Sequence, residues 1–150
     1  METATEQLKD PKTQTAAESK PAEKRLRLMA IDDEETFRTV LKELLEPLGF
    51  EVHTFSNPVK ALEIYTREKE NFDLVLLDYY MPQLDGASTY EWLKRLNPKA
   101  KVIICSGAEE LRLRQILATH SVDGYIRKPF RIAEAEMIIR HVLSKPAKPL

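Results

Sequence analysis

An internal disulfide is impossible in this chain, because Cys105 is the one cysteine among 150 residues. It lies in the apolar run Val102-Ile103-Ile104-Cys105 and reads as a buried strand residue in a reducing compartment rather than as a reactive thiol. An excess of either charge is missing as well: 23 Lys and Arg stand against 24 Asp and Glu, for a formal net charge of -1. That balance gives no electrostatic reason to expect non-specific attachment to nucleic acid or anionic lipid, so partners have to be recognised by a local surface. No apolar core precedes Leu26, which argues against a secretory signal or membrane anchor and for a cytoplasmic protein. Glycine is scarce, at four residues, and no glycine-rich loop follows the first apolar run to cradle a nucleotide phosphate. No internal repeat is present.

What remains, 43% hydrophobic and 31% charged, fits one globular domain with flexible flanks. Residues 1–24 are rich in Thr, Ala, Glu, Lys and Pro and lack the apolar side chains that would offset the entropy of ordering, so a disordered N-terminal tail is expected. The folded domain is assigned to 25–144, and the proline-rich end, 145–150, to a flexible C-terminal tail.

Within the domain the pattern alternates between strand and helix. Leu26–Ile31 has strand length; Phe37, Val40, Leu41, Leu44, Leu45 and Leu48 then recur at helical spacing until Pro47 and Gly49. A strand over Glu51–Phe55 leads to Asn57-Pro58, a cap followed by a first-turn proline, and so to a helix through Ala61, Leu62 and Tyr65. Leu74–Leu77 is the third strand, followed by a helix with Thr89, Trp92, Leu93 and Leu96 on one face. Val102–Cys105, a helix through Leu113, Ile116 and Leu117, the strand Gly124–Ile126 and a helix through Ile132, Ala135, Ile139 and Val142 complete the series. Parallel neighbours need helical crossovers, so five such units predict an α/β fold: a doubly wound, flavodoxin-like sheet of five parallel strands with five helices. The third and fourth strands are apolar enough to be central, whereas Glu51, His53 and Thr54 suit an edge. Strand order 2-1-3-4-5 follows as the expectation, with the functional crevice outside the carboxyl ends of strands one and three.

Those ends carry chemistry. The first strand runs into Asp32-Asp33-Glu34-Glu35, the third into Asp78, the fourth into Ser106, and the fifth, past Arg127, into Lys128-Pro129-Phe130. Crowded carboxylates raise one another's pKa unless a cation neutralises them, and a hard divalent ion such as Mg2+ suits a few carboxylates completed by water and phosphate oxygens. Singly, each residue has an ordinary role, as helix cap or loop charge. The weight lies in their convergence.

Four segments, Ile31-Asp32-Asp33-Glu34, Leu76 through Gly86, Ile104-Cys105-Ser106-Gly107-Ala108 and Tyr125 through Phe130, resemble in order and separation the receiver domain of two-component signalling. The resemblance covers roughly Leu26 to Leu143. It implies that Asp78 takes a phosphoryl group from a phosphohistidine on a sensor histidine kinase or histidine phosphotransfer protein. It implies further that Asp33 and Asp78 bind Mg2+ directly, Asp32 mainly through water, and Tyr80 through its main-chain carbonyl. Lys128 and Ser106 then meet the phosphoryl oxygens, and the Lys128-Pro129 bond is commonly cis in the family. Ser106 and Tyr125 would be the switch pair, read out on the face of the fourth helix, fifth strand and fifth helix, where Arg112, Arg114, Arg127, Arg131 and Glu134 meet a downstream protein or a second copy. A signalling switch rather than an enzyme is implied, with no direct nucleic-acid or membrane binding.

Tyr80, two residues beyond the nucleophile, is bulky enough to shield an acyl phosphate from water, and slow self-dephosphorylation is expected; Gly107, small and next to Ser106, leaves phosphodonors access. An aspartyl-nucleophile phosphatase would want a second carboxylate where Tyr80 stands. A constitutive interaction module with the same fold, never phosphorylated, remains the alternative reading.

Overall fold

The computed structural model describes residues 23–107 and 109–148, apart from the side chain of Glu110. Five strands alternate with five α-helices: β1 Leu26–Ile31, α1 Glu35–Leu45, β2 Phe50–Phe55, α2 Pro58–Glu68, β3 Leu74–Asp78, α3 Gly86–Leu96, β4 Val102–Ser106, α4 Glu110–Thr119, β5 Gly124–Arg127 and α5 Ile132–Leu143. The strands form one parallel sheet in the order β2-β1-β3-β4-β5, as the hydrophobic patterning predicts. Except for the exposed Glu23 and Lys24, the tail expected over 1–24 lies outside the described residues.

Every residue of β3 and β4 is buried, because helices cover the sheet on both sides. One face packs Leu28, Ala30, Leu74, Leu76, Ile103 and Ile126 against Leu41 and Leu45 of α1 and Ala135, Ile139 and Val142 of α5. The other packs Met29, Ile31, Val75, Leu77, Val102 and Ile104 against Ala61 and Tyr65 of α2 and Tyr90 and Leu93 of α3. The period of two along each strand thus sorts the side chains into two cores.

Asn57 caps α2 by accepting from the Val59 N–H at 2.9 Å, and Asp85 caps α3 by accepting from the Ser88 N–H at 2.7 Å. Gly86 then lies against the chain at β3: an added Cβ would stand 2.4 Å from the Tyr79 Cα, and its N–H donates to the Tyr79 carbonyl at 2.9 Å. Only glycine permits that approach.

The expected apolar face of α3 needs correction. Trp92 is half exposed with the Arg95 guanidinium 5.7 Å from its ring, while the buried stripe is Gly86, Thr89, Tyr90, Leu93 and Lys94. Tyr90 can enter because its hydroxyl donates to the Ser121 carbonyl at 2.9 Å. On α1, Val40 and Leu44 also belong to the predicted stripe but remain over a third exposed, since the helix buries only Leu41 and Leu45. Leu117 of α4 is likewise exposed.

At the amino ends of β4 and β5, the Lys94 side chain is fully enclosed. Its ammonium donates to the carbonyls of Ala100 at 2.6 Å and Lys148 at 2.8 Å, with Asp123 Oδ2 at 3.6 Å. Asp123 accepts from the N–H of Val102 at 2.8 Å and of Lys148 at 2.7 Å. Residues 145–148, read from sequence as part of the tail, are thereby anchored at Lys148 through both sides of its peptide.

Candidate functional site

The opposite end of the sheet, where the strands finish, carries the predicted residues. Asp78 is the last residue of β3 and is 7% exposed; in register beside it stands Cys105, one position before Ser106, which is also buried. Asp32 follows β1 and is 2% exposed. Its Oδ1 accepts from the Glu34 N–H at 2.8 Å and its Oδ2 meets the Lys128 ammonium at 2.5 Å. Asp33 beside it is exposed. One carboxylate oxygen from each of Asp32, Asp33 and Asp78 lies within 4.8 Å of the others.

These side chains border a cleft of about 730 Å³ lined by Asp33, Asp78, Tyr80, Ser106, Gly107, Arg112 and Lys128 among others. Tyr80 is half exposed at its mouth, and its N–H donates to Asp78 Oδ1 at 3.3 Å. Gly107, which follows the buried Ser106, also lines the cleft. The Lys128–Pro129 bond is cis, in keeping with the resemblance.

Burial is the largest influence on the Asp78 carboxyl, pushing it up to about 7; Lys128 opposes this, and Asp32 adds to it. One lysine therefore does not compensate the acidic cluster. All the available donors are hard oxygens, so a divalent cation of the magnesium type fits the deficit in both charge and ligand chemistry. Cys105, in register beside Asp78, is a buried packing residue, and that burial pushes its thiol up to about 12.

Tyr125, on β5, is partly buried, and its hydroxyl donates to the main-chain carbonyl of Ser106 at 2.9 Å. The two residues proposed as a switch are therefore in direct contact. Arg114, Arg127, Arg131 and Glu134 are all exposed. Arg112 is exposed too, but it lines the cleft, a role its position in the sequence does not signal.

Two further residues escape sequence reasoning. Arg38 of α1 donates to the Asp32 carbonyl at 2.7 Å and so braces the turn after β1. Phe37 places its ring 3.8 Å from the Lys128 ammonium, and Phe130 packs edge-on to it at 5.7 Å. In the sequence Phe37 is merely one member of an apolar repeat. His120 is buried, with its ring in contact with those of Tyr79 and Tyr90; His53 bonds to Glu51 at 2.6 Å.

The family model described as "Response regulator receiver domain" matches residues 28–140. The two-component response regulator ARR12 of Arabidopsis thaliana is 35% identical over 118 residues, covering 79% of this chain and 20% of that protein. The sensor kinase CckA of Brucella abortus is 28% identical over 118 residues, again 79% of this chain, and 12% of that protein. The chain thus spans about a fifth or less of the length of these relatives. Among solved structures, a response regulator receiver domain protein from Clostridium thermocellum superposes with a TM-score of 0.73 at 30% identity, over 79% of this chain and 94% of that one. The receiver domain of the sensor histidine kinase PA1611 from Pseudomonas aeruginosa, which has a magnesium ion coordinated in its active-site cleft, shares the fold. Its TM-score is 0.74 at 21% identity, over 81% of this chain and 100% of that one. Among the described residues no helix is long and apolar enough to cross a membrane.

Proposed function

Since this chain belongs to the response regulator receiver domain family, we propose that it is a phosphorylation switch whose acceptor is Asp78. The observation that carries the reading is the close approach of the Asp32, Asp33 and Asp78 carboxylates beside Lys128.

In the proposed reaction a carboxylate oxygen of Asp78 attacks the phosphorus of a phosphohistidine on a sensor histidine kinase or histidine phosphotransfer protein. An O–P bond forms, the N–P bond breaks, and the imidazole leaves with the bonding pair. Mg2+, when bound, neutralises charge on the phosphoryl oxygens and draws nucleophile and phosphate together. Asp33 and Asp78 would hold it directly, Asp32 mainly through water, and Tyr80 through its carbonyl. The Lys128 ammonium, now paired with Asp32, meets one phosphoryl oxygen, and the Ser106 hydroxyl donates to another. As Ser106 moves, Tyr125, bonded to its carbonyl, is biased toward a second position. The output is protein binding, to a downstream target or a second copy, at the α4-β5-α5 face. A cytoplasmic location and independence from nucleic acid and membrane belong to the same proposal.

The test is intact-mass spectrometry after incubation with Mg2+ and acetyl phosphate. Gain of one phosphoryl group, lost in EDTA and in Asp78→Asn, supports the switch. No gain, under conditions that label another receiver domain, favours a constitutive interaction module instead.

A further inference from the structure

Lys128 has to deliver an ammonium to the mouth of the cleft, yet a lysine stem has four rotatable bonds and strong competition from water. Asp32 Oδ2 accounts for one of its contacts, at 2.5 Å. A second is the ring of Phe37, with the ammonium 3.8 Å from the centroid, well within the range in which an aromatic face attracts a cation. Phe37 is itself fixed: Phe130 meets it at an interplanar angle of 84°, and the ring packs on the core formed by α1 and α5. α1 and the segment after β5 therefore build one device across 91 positions of sequence, a carboxylate on one side of the ammonium and a ring on another.

We propose that Phe37 is a positioning residue for Lys128, its ring face holding the ammonium beside the cleft so that it can pass from Asp32 to a phosphoryl oxygen on Asp78. The inference rests on the phosphoryl-acceptor reading above. An aliphatic side chain of similar bulk would fill the same space but offers no negative face, so the ammonium would lose that restraint and spend more time in water. Phosphoryl uptake would slow, because positioned charge contributes only when it is already in place as the transition state forms.

The experiment compares wild type, Phe37→Leu and Phe37→Tyr by two measurements. The first, in metal-free protein, is the proton shift of the Lys128 ε-methylene, which a ring face moves upfield. The second is the rate of phosphoryl uptake from acetyl phosphate at saturating Mg2+. The expected result is an upfield shift in wild type and Phe37→Tyr that disappears in Phe37→Leu, with uptake about three- to tenfold slower in Phe37→Leu and largely restored in Phe37→Tyr. An unshifted Lys128 in wild type overturns the proposal without any variant having to fold. So does a Phe37→Leu protein that labels at the wild-type rate, or equal slowing in both variants, which would assign the effect to packing. If wild type takes no phosphoryl group although Lys128 is shifted, the acceptor reading falls, and the positioning role with it.

Discussion

Burial and the neighbouring Asp32 hold the Asp78 carboxyl at about 7, against an ordinary value of 3.8, although Lys128 pulls the other way. A carboxyl raised on folding binds more protons in the native than in the unfolded state between those two values, so its ionised form weakens the fold, fully above about 7 and progressively less as pH falls toward 4. Without metal, Asp78→Asn is therefore expected to raise the melting temperature clearly at pH 8 and hardly at pH 4. Equal gains at both would assign the effect to something other than ionisation. Added Mg2+ is expected to stabilise wild type at pH 8 and to do much less for Asp78→Asn; thermal melts with Mg2+ and with EDTA separate the two. Tyr80, half exposed at the cleft mouth, belongs to the same scale. Replacing it by Asn should open the path of an attacking water and shorten the phosphoprotein half-life several-fold, as followed by the decay of the phosphorylated mass. An unchanged half-life would remove the shielding role.

Between elements, the connections matter more than the helices themselves. A Cβ at Gly86 would meet main-chain atoms of Tyr79 and Asp78, which cannot rotate aside, so Gly86→Ala should cost about 1–3 kcal/mol and disturb the carboxyl end of β3. Denaturant unfolding measures the first effect, and a change in Mg2+ affinity the second. At the far end of the sheet, Asp123→Ala would leave the enclosed Lys94 ammonium without its carboxylate and strip acceptors from the N–H groups of Val102 and Lys148. A loss of about 3–5 kcal/mol is expected there by the same measurement, because a buried charge deprived of its partner remains buried. These two places also mark how far the sequence can be read. Strand order, edge assignment and the convergence of Asp32, Asp33, Asp78, Ser106 and Lys128 were legible, because each depends on local periodicity or on a residue directly at a strand end. Lys94 was not, since nothing local distinguishes an enclosed lysine from a surface one; its partners come from Ala100, Asp123 and Lys148. Trp92 shares the three- and four-residue spacing of Thr89, Leu93 and Leu96, but spacing alone does not set the centre of the stripe, and the buried phase marked by Thr89, Tyr90 and Leu93 turns it outward. Phe37 could be seen as apolar, but its contact with Lys128 exists only once α1 and the β5–α5 connection have packed.

For the molecule as a whole, the two ends of the sheet have different work. The carboxyl ends gather the acidic cluster and the cleft; the exposed Arg127 stands in register with Ser106 at the end of β5, and the exposed Arg131 immediately precedes α5. Reversing charge at Arg127 and Arg131 is expected to leave phosphoryl uptake intact while abolishing any phosphorylation-dependent self-association seen by sedimentation velocity. Association that persisted would move the interface elsewhere. The amino ends are closed by the Lys148 peptide held between Lys94 and Asp123. A surface linker or fluorophore attached to the exposed side chain of Lys148 would consequently sit at the end of the sheet away from Asp78. Protein immobilised in that way would leave its cleft open to a soluble partner, with the attachment point itself insulated from events at Asp78.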